Sequence, residues 1–379
     1  MKMAFVFGSW SIGTRPLDFN TLWTSPRGLT GSDLGVIITA REMARRGHEV
    51  SLFTVHAPNK PATWEGVSLY DFDQRGTVIT DDYDAILSWS EPDVLRGLPS
   101  KPLRVVCMML NDFTYTAQGF DDFVDVWTAP CQMLIDHLLT KAHCPDSSKW
   151  RVLPLGCDPT WYTENQRVPG RVVWTSSADR GLHWLLQEWP KIKIAVPHAS
   201  LRIFYNFNYG TLDQIEPNVT HIIHHTVEMA HRIRYMKETI KRMKHLGVEH
   251  VGSISRDQMA KEMSEAMVLA YPVSTVAFTE GFSVSIMEAC SAGVMPVISD
   301  ADCLGSIYGG VLPMIKSPVG KNLDEFDSLV IRGLTDAVFH AETTKRCKEF
   351  SNEYTWSLVT AKLEGIINEH PKCKNRNVV

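Results

Sequence analysis

Glu280 and Glu288 bracket Gly281, Phe282, Ser283 and Val284, a combination able to hold an anion and a polyol together. Gly281 permits close approach of the backbone. The amides of Phe282, Ser283 and Val284 fall at a helix start, where no intrahelical acceptor reaches them, and so make a ready seat for a diphosphate. Glu288, one to two turns deeper, carries two acceptor oxygens that suit a vicinal diol such as a ribose, and Glu280 on the preceding loop can reach a sugar hydroxyl. One short segment can thus grip three parts of a nucleotide sugar. Taken alone the pair is ambiguous, because acidic residues near helix starts also gain about 0.3 to 1 kcal/mol from the macrodipole.

The elements that must position these residues follow from the pattern around them. A strand over Val268 to Tyr271 ends at Pro272, a Ser/Thr loop follows, and the helix that Glu280-Gly281-Phe282-Ser283 opens has Ile286, Met287, Ala289 and Cys290 as its buried stripe. Gly293 stops it and Pro296 to Ser299 starts another strand. Upstream, Val172 to Thr175 and Leu201 to Tyr205 read as strands, Val227 to Leu246 as a charged helix, His250 and Val251 as a short strand, and Arg256 to Ala266 as a helix.

The first half alternates in the same way. A strand at Met3 to Phe7 leads through a long Gly/Ser/Thr/Pro-rich loop to a helix with Leu34, Ile37, Ile38, Met43 and Ala44 on one face and Gly47 at its stop. Strands are expected at Val50 to Val55, Ala85 to Ser88, Arg104 to Met109 and Val124 to Thr128. Alternation of this kind implies mainly parallel sheets. The turn-rich stretch Pro154 to Gly170 marks a boundary between an N-terminal α/β domain, residues 1–165, and a second one, residues 166–351. The late amphipathic stretch Thr355 to Ile367 must cover a core somewhere, and the tail after His370 reads as disordered.

Composition narrows the function classes. A chain of 379 residues with 44% apolar character is expected to form about two domains. A net charge of -5 supplies no global positive field for a nucleic-acid backbone, so any anion must be bound locally. The eight cysteines include no C-x-x-C pair, which suits free thiols in a reducing compartment and supplies no zinc-ligand spacing. No apolar run reaches the roughly 18 to 20 residues needed to span a bilayer, and the expected location is the cytoplasm.

Within E-G-F-S-V-S-I-M-E-A, Glu280-x7-Glu288 resembles the E-x7-E segment of the group-one retaining glycosyltransferases, glycosyltransferase family four. The resemblance covers most of the chain. Gly31 to Thr54 is similar to that family's G-x8-A-x6-G-H-E-V opening, Arg151 to Asp158 to its interdomain V-x-P-x-G-x-D, and Tyr354-Thr355-Trp356 to its C-terminal motif. It implies an α/β fold of two facing Rossmann-like domains, called GT-B, with a last helix, residues 352–370, that crosses back to the first domain. It implies a hexose moved from a GDP- or UDP-sugar to a glycan or other hydroxyl acceptor held by the first domain, with no metal cofactor. Gly31 would lie close to donor or acceptor. Trp174 to Pro190 resembles a subgroup with an S-x-D-R-G-L segment, a loop that carries cations for the leaving diphosphate. Arg180 is the cation available there, its planar fork suits phosphate oxygens, and Ser176 joins the substrate-binding candidates.

Two departures bear on mechanism. Ser176 and Ser177 stand where members often show an Arg, one cation fewer for the donor. Asn111, in Leu110-Asn111-Asp112, stands where a His usually precedes the Asp, and an amide can hydrogen-bond but not shuttle a proton. Other readings of the same residues are a sugar-nucleotide epimerase of the same fold and a non-catalytic sugar-nucleotide or glycan binder. His221, His224, His225 and His231 mix strand and helix spacing and complete no metal geometry. Asp71-x-Asp73 and Asp300-x-Asp302 are two-residue patterns that recur by chance. The lysine-rich run Met236 to Lys244 reads as a solvated face, with peripheral membrane contact as its alternative use.

Overall fold

A computed structural model describes residues 1–8, 16–89, 91–107, 120, 122–141, 146–163, 167–205, 207, 224–275, 278 and 280–374. Contacts divide the chain into two compact units, one of Met1–Ser25, Leu29–Gly156 and Tyr354–Val379, the other of Pro26–Gly28 and Cys157–Glu353.

The first unit begins with β1 (Lys2–Val6), α1 (Gly31–Arg45), β2 (Glu49–Thr54), β3 (Thr63–Trp64), β4 (Val67–Asp71) and the short α2 (Arg75–Val78). It continues with β5 (Ala85–Trp89), β6 (Leu103–Cys107), β7 (Val126–Ala129), α3 (Gln132–Lys141) and β8 (Trp150–Val152). The sheet runs β3-β4-β2-β1-β5-β6-β7-β8, with β3 as an antiparallel edge. Its central strands are apolar on both faces, Met3 to Val6 and Ala85 to Leu87 being wholly buried, as a parallel sheet covered by crossover helices requires. Thr30 and Asp33 form a reciprocal capping box at the start of α1, which places Gly31 as its first residue.

The second unit contains β9 (Arg171–Trp174), α4 (Leu182–Ala195), β10 (Ser200–Phe204), α5 (His224–Arg242), β11 (Val248–Gly252), α6 (Arg256–Glu265) and β12 (Val268–Tyr271). After these come α7 (Val284–Ala292), β13 (Met295–Ser299), α8 (Leu304–Tyr308), β14 (Met314–Ile315), α9 (Leu323–Thr335) and α10 (Ala337–Ser351). Its six strands lie in the order β11-β10-β9-β12-β13-β14. Counted within the unit this is 3-2-1-4-5-6, the doubly wound Rossmann order, whose direction reverses between its first and fourth strands. Gly293 caps α7 at φ +69, a left-handed conformation that favours glycine.

The remaining elements, α11 (Trp356–Glu369) and α12 (Pro371–Lys374), belong to the first unit. Buried Trp356, Val359, Leu363 and Ile367 form the core face of α11, and Glu364 bonds His48 Nε2 at 2.9 Å next to α1. Gly156 explains two of the sequence motifs at once, because a Cβ there would stand 2.7 Å from the Trp356 ring. The glycine of V-x-P-x-G-x-D is the space into which the terminal tryptophan packs.

The structure departs from the sequence reading in several places. Of the tail after His370, expected to be disordered, Pro371–Lys374 form α12, because Cys373 is buried and Lys372 Nζ reaches Asp125 Oδ2 at 2.7 Å, and residues 375–379 lie outside the described residues. The charged helix begins at His224 and ends at Arg242, after which Met243–Leu246 tightens into a 3-10 turn closed by Gly247 at φ +78. The strand read as Arg104 to Met109 is described only to Cys107, and Asn111 lies outside the described residues.

Candidate functional site

In a doubly wound sheet the loops leaving the two strands at the reversal diverge and open a crevice at the carboxyl ends. In the second unit those strands are β9 and β12, and the loops after them carry Ser176, Arg180 and Glu280. Gly181 fixes the first loop. Its φ is +119, and a Cβ there would stand 2.1 Å from the carbonyl oxygen of Pro272, beyond β12. The Ser274 amide donates to the Arg180 carbonyl at 3.0 Å, tying the two loops together one residue before that glycine. Backbone closeness is therefore the reason for the Gly in S-x-D-R-G-L.

This geometry brings three of the sequence candidates into one cluster. The Arg180 guanidinium pairs with Glu280 Oε2, their side chains 16% and 4% exposed. The Tyr271 hydroxyl lies 2.6 Å from Glu280 Oε2 and 2.8 Å from Ser176 Oγ. Its single proton goes to the carboxylate, which leaves Ser176 to donate to the phenol oxygen. Burial, which alone would lower the proton affinity of Arg180, is outweighed by Glu280, so the pKa rises and the cation is permanent. Burial and then Glu280 push the Tyr271 phenol well above its ordinary value.

Asp302 places Glu280 from the other side. Its carboxylate accepts from the Glu280 amide at 2.9 Å and from Thr275 Oγ1 at 3.1 Å. Asp300, the other acid of that two-residue pattern, does not share this role. Asp300 instead pairs with Lys316 at 3.2 Å and accepts from the Ser317 amide at 2.6 Å, so the two carboxylates serve different backbone segments.

Glu288 sits in a second buried cluster. Arg256 Nη1 donates to its Oε2 at 3.1 Å and Arg256 Nη2 pairs with Oε1, a two-pronged contact between side chains each 8% exposed. Arg256 also donates to the Tyr162 hydroxyl at 2.9 Å and lies 4.4 Å from the Trp161 ring centre. Neither Arg256 nor Tyr162 was singled out from sequence. A signal existed: Arg256 is the first residue of α6, the end of a helix where a cation is unfavourable, so a local reason for it is lacking.

Between the two clusters α7 begins, at Val284 rather than at Glu280. Phe282 and Ser283 lie before it, and Ser283 adopts φ +67 with no side-chain cap on the helix. A serine in the left-handed region costs of order 1 kcal/mol and persists only where neighbours enforce it. Tyr308 does so through bonds to the carbonyls of Phe282 at 2.9 Å and Ser283 at 3.2 Å. Ser285 Oγ donates to the Thr175 carbonyl at 3.0 Å, joining the first turn of α7 to the loop after β9. Val284 and Ser285 are partly exposed, so the first turn of α7 meets solvent next to the Arg180 loop. Gly281 is buried in the bend before Phe282.

Gly31 belongs to the first unit and is not part of these clusters. The basic helix α5 buries Ile233, Met236 and Ile240 within the second unit, which commits its apolar face to the core. Among the described residues no group of three or more His, Cys, Asp or Glu could hold a metal ion, and no helix is long and apolar enough to cross a membrane.

The sequence matches no protein-family profile and no curated protein. Solved structures do match. Trehalose-6-phosphate synthase OtsA is similar over 98% of this chain and 99% of its own, with a TM-score of 0.70 at 9% identity. Sucrose-phosphate synthase from Thermosynechococcus elongatus gives 0.67 at 12% identity over 97% of this chain and 98% of its own. Anabaena HepE, solved in complex with UDP and glucose, gives 0.65 at 14% identity over 98% of this chain and 100% of its own. At such identities the likeness establishes the fold, and the fold is GT-B.

Proposed function

We propose that the protein is a retaining glycosyltransferase of glycosyltransferase family four, transferring a hexose from a GDP- or UDP-sugar to a glycan or other hydroxyl acceptor. The observation that carries this reading is the buried Arg180–Glu280–Tyr271 cluster at the strand reversal of the second unit. Support comes also from HepE, whose structure holds UDP and glucose, and from pneumococcal GtfA, whose structure holds UDP and GlcNAc. Residues 166–351 would take the donor, and residues 1–165 with the helix at 352–370 the acceptor.

In this reading Phe282, Ser283 and Val284, with Gly281 for closeness, cradle the diphosphate, and Arg180 neutralises it. Arg180 is already desolvated and positioned, so binding exchanges one anionic partner for another and releases the Glu280 carboxylate toward the sugar. Tyr271 and Ser176 then keep that carboxylate aimed. Glu288, held by Arg256, presents its oxygens to the ribose. The bond between the sugar anomeric carbon and the β-phosphate oxygen breaks, and a bond from the acceptor oxygen forms on the same face. The acceptor proton passes to the departing phosphate oxygen, so Asn111 needs only to hydrogen-bond. Gly31 permits close approach of a ligand to the first unit. No step calls for a metal.

Mass-detected transfer from a panel of GDP- and UDP-sugars tests the reading. Arg180→Ala should reduce kcat by about 100-fold or more, as removal of a preorganised transition-state charge does. Unaltered activity in Glu288→Ala would remove the ribose assignment. Conversion of the donor sugar with no acceptor present would make the chain an epimerase, and donor binding without hydrolysis or transfer would make it a binding protein.

A further inference from the structure

The loop after β9 has Ser176 and Ser177 where a second cation is expected, yet the second unit holds another arginine beside that loop. Arg232 lies in the first half of α5, the helix that follows β10 and packs against α4 and the Ala178–Arg180 turn. Its Nη1 donates to the Ser274 carbonyl at 3.1 Å, and the Ser274 amide donates to the Arg180 carbonyl at 3.0 Å, so both arginines are anchored on one residue of the loop beyond β12. The side chain of Arg232 is 18% exposed. Its other described partner is Glu228, one turn earlier and 51% exposed, an i,i+4 surface pairing that contributes little and is readily exchanged.

Its charge acts on His183, in the first turn of α4. His183, two residues beyond Gly181, has its proton affinity lowered to about 3, by burial first and by Arg232 second, so the imidazole is neutral near pH 7. Its Nδ1 is buried without a hydrogen-bond partner among the described residues. Arg180 and Arg232 are therefore two cations tied to the one loop beyond β12. Guanidinium has five donors, and those Arg232 does not spend on Ser274 and Glu228 remain for phosphate oxygens.

We propose that Arg232 is the second diphosphate-binding cation of the donor site, supplied from α5 in place of an arginine in the loop after β9. The inference rests on the donor reading above and adds one residue to it. Exchange of Glu228 for a phosphate oxygen turns a surface pair into a charge-assisted contact beside Arg180.

Calorimetric titration of wild type, Arg232→Gln and Arg232→Lys with uridine, UMP, UDP and GDP tests this. Arg232→Gln should weaken UDP by about tenfold, leave uridine within about twofold, and flatten the dependence of UDP affinity on salt. Arg232→Lys, which keeps charge but loses the fork, should recover part of the loss. Equal weakening of uridine and UDP would mean that Arg232 only supports the loop, and unchanged UDP affinity would also overturn the proposal. Either result leaves the donor reading intact provided Arg180→Ala still lowers kcat in the transfer assay. If wild type binds neither UDP nor GDP, the donor reading falls and takes this inference with it.

Discussion

The two units share the doubly wound order of their central parallel strands but treat buried acids differently at their strand reversals. In the second unit Glu280 and Glu288 each face an arginine and a tyrosine, and the charges are neutralised in place. In the first unit, where order reverses between β1 and β5, Glu91 follows the end of β5, is 7% exposed and pairs with no cation among the described residues. Burial and then nearby Asp93 push its carboxyl above the usual range. Beside it in sequence, buried Trp89 leaves its indole N–H without a hydrogen-bond partner among the described residues and packs its ring against Gly35 of α1. A doubly wound sheet thus supplies the position of a site, while the side chains decide whether that position holds anions rigidly or keeps polar groups uncommitted.

The strongest way to break this contrast is to remove one member of a buried pair. Glu288→Ala should destabilise the second unit by about 3 to 5 kcal/mol in urea titration, because Arg256 is left charged and unpaired, and pairing it with Arg256→Met should restore much of the loss. Gly181→Ala comes next, at about 2 to 4 kcal/mol, since it combines a left-handed φ with a clash against fixed backbone. Gly35→Ala in the first unit should cost less, about 1 to 3 kcal/mol, because its Cβ would meet the Trp89 ring at 2.6 Å, a side chain able to shift.

Glu91 sharpens the comparison through pH. Its folded pKa is raised, so its contribution is fully present below the ordinary glutamate value and is lost as pH rises through the folded one. Glu91→Gln should therefore gain on wild type as pH rises from 4 to 8, followed by thermal denaturation across that range. A constant difference would show that the acid is not strained. The smallest effect belongs to Glu364→Ala, at most about 1 kcal/mol, because Arg46 and Glu364 are 36% and 20% exposed and apolar burial holds α11.

Much of the fold was legible because parallel sheets and amphipathic helices write their periods directly into the chain. The strands around Phe5, Leu87, Val173 and Leu269 are buried on both faces and read as apolar runs, and Gly47 and Gly293 stopped their helices where expected. The helices α9 and α10 were not anticipated, although Leu323, Phe326, Val330 and Leu334 of α9 repeat at helical spacing. The disordered reading failed for Pro371–Lys374 because local composition does not reveal a distant partner such as Asp125.

For the site, the sequence by itself determined the residue types: a glycine-bearing bend, two acids at fixed spacing on and before a short helix, and an arginine before Gly181. Only the tertiary structure decided their partners. Tyr162 and Arg256 stand far from Glu288 along the chain, and Tyr271, Ser176 and Arg180 meet Glu280 across two strands. Helical and strand periods act between near neighbours, whereas a buried charge is satisfied by whatever the sheet order brings within 3 Å or so, and that order is a property of the folded chain.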